Sequence, residues 1–383
     1  MFHRIPSGWC SLLCAMALPV GSALAERYLV YVGTYTGAKS KGIHAFRTDP
    51  AAGIIEDLGL VAETPNPTFL ALHPNGRVLY AANEVGEFAG KPGGAVTGFE
   101  IDGATGRLKA INSASTVGGG PCHLVVDRTG RQVLVANYGG GSVASIPIDP
   151  SGRLGSHSAF QQHRGGSANP SRQKEPHAHS INVSADNRFA FAADLGTDRV
   201  YVYPFDPARG LQAEPLAQSP RLPPGSGPRH FAFHPSGKFA YVINEMLSTV
   251  TVFRYTASSG ALAEVQTIPT LPAGFSGGSS TAEVVVHPNG KFVYGSNRGH
   301  DSLAIYSVDA GSGRLTLAGH HLTGGKTPRN FNIDPSGRTL WAANQSTDNI
   351  VVFAVDPDTG SLKRTGQELN LGSPVCVKFL KVP

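Results

Sequence analysis

Hydrophobic and polar positions alternate in short runs along most of the chain, and the runs recur. The clearest stretch is Gly227 to Glu245. Phe231 and Phe233 flank Ala232, the period of two expected of a β-strand with one buried face. His234-Pro235-Ser236-Gly237-Lys238 follows, with Pro and Gly at turn positions. Phe239, Tyr241 and Ile243 then alternate again. The stretch predicts a β-hairpin whose outer ends, Arg229-His230 and Asn244-Glu245, meet at one edge of a sheet.

The hairpin repeats. Turn sequences begin at His73, Asp127, Ser184, His234, His287 and Asp334, and about ten positions after each stands Asn83, Asn137, Asp194, Asn244, Asn297 or Asn344. Spacings of roughly 47 to 57 residues are those of four-stranded propeller blades. Inner strands are expected to start at Pro67, Pro121, His177, Arg229, Glu283, Arg329 and Pro374, which gives an all-β, seven-bladed β-propeller. Tyr28 to Thr36 and Gly42 to Arg47 match the second and third strands of a blade that lacks a first strand. Pro374 to Leu380 supplies it from the other end, so the N- and C-terminal strands are expected to close one blade and remove the free edges.

Asp-to-Leu segments such as Asp102–Leu108, Asp149–Leu154, Asp206–Leu211 and Asp356–Leu362 read as turns, and His73, His234 and His287 as structural turn residues. Two polar segments, Gly165–Pro176 and Leu271–Ser280, interrupt the rhythm. Each joins an outer strand to the next inner strand, so both are expected on the face where the inner strands begin, as loops around a binding site.

Composition adds export. Arg4, the apolar run Trp9–Val20 and Ala23-Leu24-Ala25 form a secretory leader pattern over residues 1–25, leaving 26–383 as one propeller domain in the periplasm or outside the cell. The apolar run is too short to span a bilayer, so no membrane attachment is expected after cleavage. The formal net charge is +5, without a Lys/Arg run or an aromatic-interleaved basic stripe, which argues against nucleic-acid binding. Cys10 and Cys14 leave with the leader. Cys122 and Cys376, two blades apart, are expected as buried free thiols, with a disulfide as the alternative in an exporting compartment. No Cys/His spacing suits a metal, and no cofactor is expected. The sequence leaves the oligomeric state open.

Charge concentrates where a propeller has the mouth of its channel. The inner-strand starts read Cys122-His123, His177-Ala178-His179, Pro228-Arg229-His230, Ala282-Glu283 and Pro328-Arg329-Asn330. The second-strand ends add Glu84, Tyr138, Glu245, Arg298 and Gln345. Strand alternation turns His230 away from the channel into blade packing, and Glu283 holds the same repeat position.

Ala136-Asn137-Tyr138-Gly139-Gly140-Gly141-Ser142-Val143, Pro176-His177-Ala178-His179-Ser180, Gly227-Pro228-Arg229-His230, Asn244-Glu245 and Ser296-Asn297-Arg298 together carry a resemblance. The chain resembles the seven-bladed propeller lactonases, the group of bacterial 6-phosphogluconolactonase and the fungal carboxy-muconate lactonizing enzyme. The resemblance implies catalytic roles for His179, Arg229, Glu245 and Arg298, with His177 in place of His179 if the register differs by two. His177, Glu283 and Arg329 are expected to bind substrate, a small anionic lactone.

The residue types suit that chemistry without the family. A neutral His takes a proton from water, arginines hold an oxyanion and an anionic tail, and a Glu orients the guanidiniums or acts as acid/base if its pKa is raised. No Gly-x-Ser-x-Gly element supports a covalent serine route. A muconate-type cycloisomerase and a non-catalytic binding propeller are the alternatives, since propellers host all three.

Overall fold

The computed structural model describes residues 1–3, 26–212 and 214–382, so most of the expected leader, Arg4 to Ala25, lies outside the described residues. Seven four-stranded antiparallel sheets form the seven blades, and the described residues contain no helix. The alternation that predicted the strands is the burial pattern of the blades. Phe239, Tyr241 and Ile243 pack toward one neighbouring blade, while Ala240 and Val242 pack toward the other.

The ring closes as expected. Arg27–Thr34 pairs with Pro374–Val382 from Arg27↔Val382 to Thr34↔Pro374, so the chain ends share a blade with Gly42–Asp49 and Ile54–Glu63. A small extra hairpin, Glu87–Phe88 with Lys91–Pro92, stands outside the blades. One blade has an outer strand of only two residues, Gly210–Leu211.

On the face away from the inner-strand starts, the turns clasp neighbouring blades. The Nε2 atoms of His73, His234 and His287 lie 3.0, 2.8 and 2.9 Å from the carbonyls of Gly130, Gly290 and Gly337 in the next blade. Their Nδ1 atoms accept backbone N–H groups of their own turns, which makes Nε2 the donor. The Tyr80 hydroxyl donates to the carbonyl of Gly152, a turn glycine at φ +88°, and Tyr31, Tyr241 and Tyr294 do the same to Gly106, Gly313 and Gly360. The Asp-to-Leu turns thus terminate their own blade and receive its neighbour.

Inner strands begin at Pro67, Pro121, Ala178, Pro228, Ser280, Pro328 and Pro374. Six of these seven starts lie on the expected residue or one residue from it, and Ser280 departs most, three residues before Glu283. The reason for the offsets is a β-bulge at the entry of the inner strands. Pairing jumps between Pro67 and Phe69, Pro121 and His123, Ala178 and Ser180, Pro228 and His230, Thr281 and Val284, and Pro328 and Asn330. A bulge re-aims side chains, and here it defeats simple alternation. Two consecutive residues of a blade turn toward the channel, one at the mouth and one a step deeper. Cys122 and Cys376 are buried free thiols, in the expected blades.

Candidate active site

The mouth is built from bulge residues and second-strand ends. Asn244-Glu245 closes the second strand of its blade, and the Glu245 N–H donates to the Gly227 carbonyl at 2.7 Å just ahead of Pro228-Arg229. The hairpin edge thereby sets Glu245 beside Arg229, whose Nε donates to Oε2 at 3.0 Å. Arg298, at the end of the next blade's second strand, reaches the same oxygen at 3.0 Å. Arg172 donates to Oε1 at 2.8 Å and to the Tyr138 hydroxyl at 3.1 Å. One carboxylate therefore carries three guanidiniums. Arg229 and Arg298 are also tied to the carbonyls of Ala282 and Thr281, at 2.6 and 2.7 Å.

His179 Nε2 lies 4.0 Å from Glu245 Oε2, too far for a direct hydrogen bond. The Tyr138 ring meets the His179 ring edge-on and stacks on His177. His177 is half-buried, and its Nδ1 lies 3.0 Å from the Tyr138 carbonyl. That contact assigns the proton to Nδ1 and leaves Nε2 as an acceptor. Across the mouth, Tyr35 donates to both oxygens of Glu84 at 2.9 Å, and Thr68 donates to Oε2 at 2.7 Å. Arg329 lies over the Tyr35 ring and donates to its hydroxyl at 3.1 Å.

Protonation states follow from this packing. Burial drives His179 well below the ordinary histidine range, and Arg229, His230 and Arg329 push it the same way, so its imidazole is neutral. Burial alone would raise Glu245, but Arg298, Arg229 and Arg172 outweigh it and hold the carboxyl at about 2. Glu245 is an anion that orients guanidiniums; the acid/base role that a raised pKa would give it does not apply. Burial, with Arg298 and Arg329, lowers Arg229 to about 10, which still leaves it charged at neutral pH. Four guanidiniums against the two carboxylates Glu84 and Glu245 make the mouth cationic.

Cys122 tests the covalent alternative. Its Sγ is 3.6 Å from His179 Nδ1, the layout of a thiol–imidazole pair. The same sulfur also lies 3.3 Å from the His179 carbonyl, and burial pushes the thiol up, away from thiolate. Cys122 packs against His179 as an inert thiol.

His179, Arg229, Glu245 and Arg298 are thus brought together, with Arg329 and His177 at the same mouth. His230 and Glu283 stand differently. His230 does not pack away from the channel: its ring meets Phe69, His123 and His179 from other blades. The bulge after Pro228 accounts for this, because it breaks the alternation on which the expectation rested. Glu283, expected to bind substrate, joins this deeper layer instead of the arginine cluster. Its Oε1 lies 2.8 Å from His230 Nδ1, Oε2 accepts from the Asn330 amide, and the residue is buried. Arg172, Tyr35 and Thr68 were not anticipated. The loop carrying Arg172 was expected on this face, but no periodicity in it shows which side chain turns inward.

Residues 29–379 match the family model described as Lactonase, 7-bladed beta-propeller. The chain is 36% identical over 289 residues to 6-phosphogluconolactonase of Bacillus subtilis (strain 168), covering 76% of this chain and 80% of that protein. It is 35% identical over 306 residues to 6-phosphogluconolactonase of Formosa agariphila, covering 77% and 83%. Among solved structures, the periplasmic gluconolactonase of Pseudomonas aeruginosa superposes with a TM-score of 0.86 at 36% identity, over 93% of this chain and 100% of that one.

Proposed function

Because the chain belongs to the seven-bladed β-propeller lactonase family, we propose that it hydrolyses a small anionic sugar-acid lactone at the channel mouth. The observation that carries this reading is one carboxylate, Glu245, anchored by Arg172, Arg229 and Arg298 beside a neutral, buried His179.

In this reading His179 takes a proton from water as the water oxygen attacks the lactone carbonyl. Among the described residues Nε2 has no hydrogen-bond partner, and it lies 4.0 Å from the Glu245 carboxylate that holds the arginines, which suits that role. Charge then develops on the carbonyl oxygen, where arginine N–H groups already fixed by Glu245 stabilise it without reorganising. Collapse of the intermediate breaks the ring C–O bond, and the imidazolium returns its proton to the departing alkoxide. The product is the open hydroxy acid. Arg329, with Tyr35 and Glu84, lines the far side for substrate binding. His177 is the second candidate for the base, since its free Nε2 is also an acceptor at the mouth.

Export fits the leader pattern, and the Pseudomonas aeruginosa relative is periplasmic by its description. Sugar phosphates are mainly cytoplasmic, so an exported enzyme of this kind is read as a sugar-acid lactonase in the broader sense. The test is a panel of five- and six-membered lactones, neutral, carboxylated and phosphorylated, followed by acid release and product analysis. Open acids from the sugar lactones are expected. Turnover of muconolactone alone would place the chain with the cycloisomerases, and no turnover of any lactone would favour a binding propeller.

A further inference from the structure

The segment between Gln162 and Ala178 is fastened in a way the other blades are not. At four junctions the first residue after an outer strand is Thr, paired with the Asn at or next to the end of the next blade's second strand. These are Thr64 with Asn83, Thr116 with Asn137, Thr270 with Asn297 and Thr323 with Asn344. Here the pair is His163 and Asp194, both buried, with Nδ1 2.6 Å from Oδ2. The other Asp194 oxygen accepts the backbone N–H groups of His177 and Thr197, each at 3.0 Å. One side chain therefore pins both ends of the loop.

A second buried carboxylate pins its middle. Asp198 accepts from Ser167 Oγ at 2.5 Å and Gln173 Nε2 at 2.8 Å. It also accepts the N–H groups of Gly225 and Gly227, each at 2.7 Å, in the segment that enters Arg229's strand. Gln173 is buried, and its neighbour Arg172 is thereby held over the mouth.

Arg172 differs from the other two guanidiniums on Glu245. Arg229 and Arg298 come from strands, are largely buried, and are further tied to backbone carbonyls. Arg172 comes from the pinned loop and its side chain is 43% exposed. Its Nη2 makes both hydrogen bonds, to Glu245 and Tyr138, while Nε and Nη1 make none among the described residues. A fixed, solvent-facing guanidinium with free donors, at the rim above a buried reaction centre, is placed for the outward end of a ligand. Guanidinium donors match the oxygens of carboxylate and phosphate, and a pinned loop spares the ordering cost of binding them.

We propose that Arg172 is a specificity-determining residue that receives the anionic substituent, carboxylate or phosphate, of the lactone. The inference rests on the lactonase reading above. It is tested by kcat and KM of wild type, Arg172→Gln and Arg172→Lys on a neutral aldonolactone and on its carboxylated and phosphorylated counterparts. Arg172→Gln is expected to raise KM about 10- to 100-fold more for the anionic lactone than for the neutral one, whatever loss common to both follows from loosening Glu245. Lys should restore part of the difference, as a point charge without the fork. The carboxylated and phosphorylated arms show which anion is read. An equal loss on neutral and anionic lactones would overturn the proposal and leave Arg172 as a support for Glu245. If wild type hydrolyses no lactone, the lactonase reading fails by itself. Calorimetric binding of glucarate and of 6-phosphogluconate, each against gluconate as the ligand without a second anion, then still tests Arg172: a larger loss for either than for gluconate in Arg172→Gln supports the anion site, and an equal loss or none overturns it.

Discussion

Replacing Glu245 by Gln keeps the shape of the side chain and removes the charge that three guanidiniums share. In the fold the carboxyl titrates near 2 instead of its ordinary 4.5, which corresponds to about 3 kcal/mol of stability at neutral pH. Arg229 offsets this, since burial beside Arg298 and Arg329 lowers it from the ordinary arginine range to about 10, a cost of about 3 kcal/mol. The cluster therefore adds little net stability, as expected of an assembly kept for binding and catalysis. The two contributions separate by pH. Glu245's folded pKa is depressed, so its contribution is complete above about 4.5 and is lost as pH falls through about 2; Arg229 does not titrate there. Thermal unfolding of wild type and Glu245→Gln should differ by about 4 °C at pH 7 for a chain of this size. The gap should narrow steadily as pH falls from 4.5 toward 2. A gap that stays constant over that range would refute the anchoring of Glu245 by the arginines.

His179→Ala is expected to lose on the order of 10² to 10⁴ in rate, and the acid limb of the wild-type rate profile should lie well below pH 6.5, because burial keeps the imidazole neutral. His177→Ala with the larger loss would move the base to His177. Deleting Pro374–Pro383 should abolish folding as seen by circular dichroism, since it removes the inner strand that closes the first blade. N-terminal sequencing of exported protein should begin at or near Glu26, and an intact Met1 on protein confined to the cytoplasm would contradict export.

The architecture was legible because each blade repeats the same turn and the same period of two, and because the N-terminal strands lack a partner that Pro374–Leu380 supplies. Arg229, Arg298 and Glu245 were legible for the same reason: hairpin ends must meet. His230 was misjudged because alternation assumes an unbroken ladder. The bulge between Pro228 and His230 turns it into the channel, where it bonds to Glu283, the residue at the same repeat position. Arg172 escaped because loop residues have no period; its direction comes from Gln173, Asp194 and Asp198, which are distant in sequence from the Glu245 it reaches.

Arg229 is the buried guanidinium that Glu245 holds at the centre of the cluster. The deciding measurement is the pH-stat rate of acid release from the best lactone by wild type and Arg229→Ala, with melting temperatures taken on the same samples. The rate is expected to fall by about 10² to 10³, as on removal of an oxyanion donor, while the variant still melts as a folded protein. A folded Arg229→Ala variant that hydrolyses the lactone at the wild-type rate would contradict the assignment of this mouth as the active site.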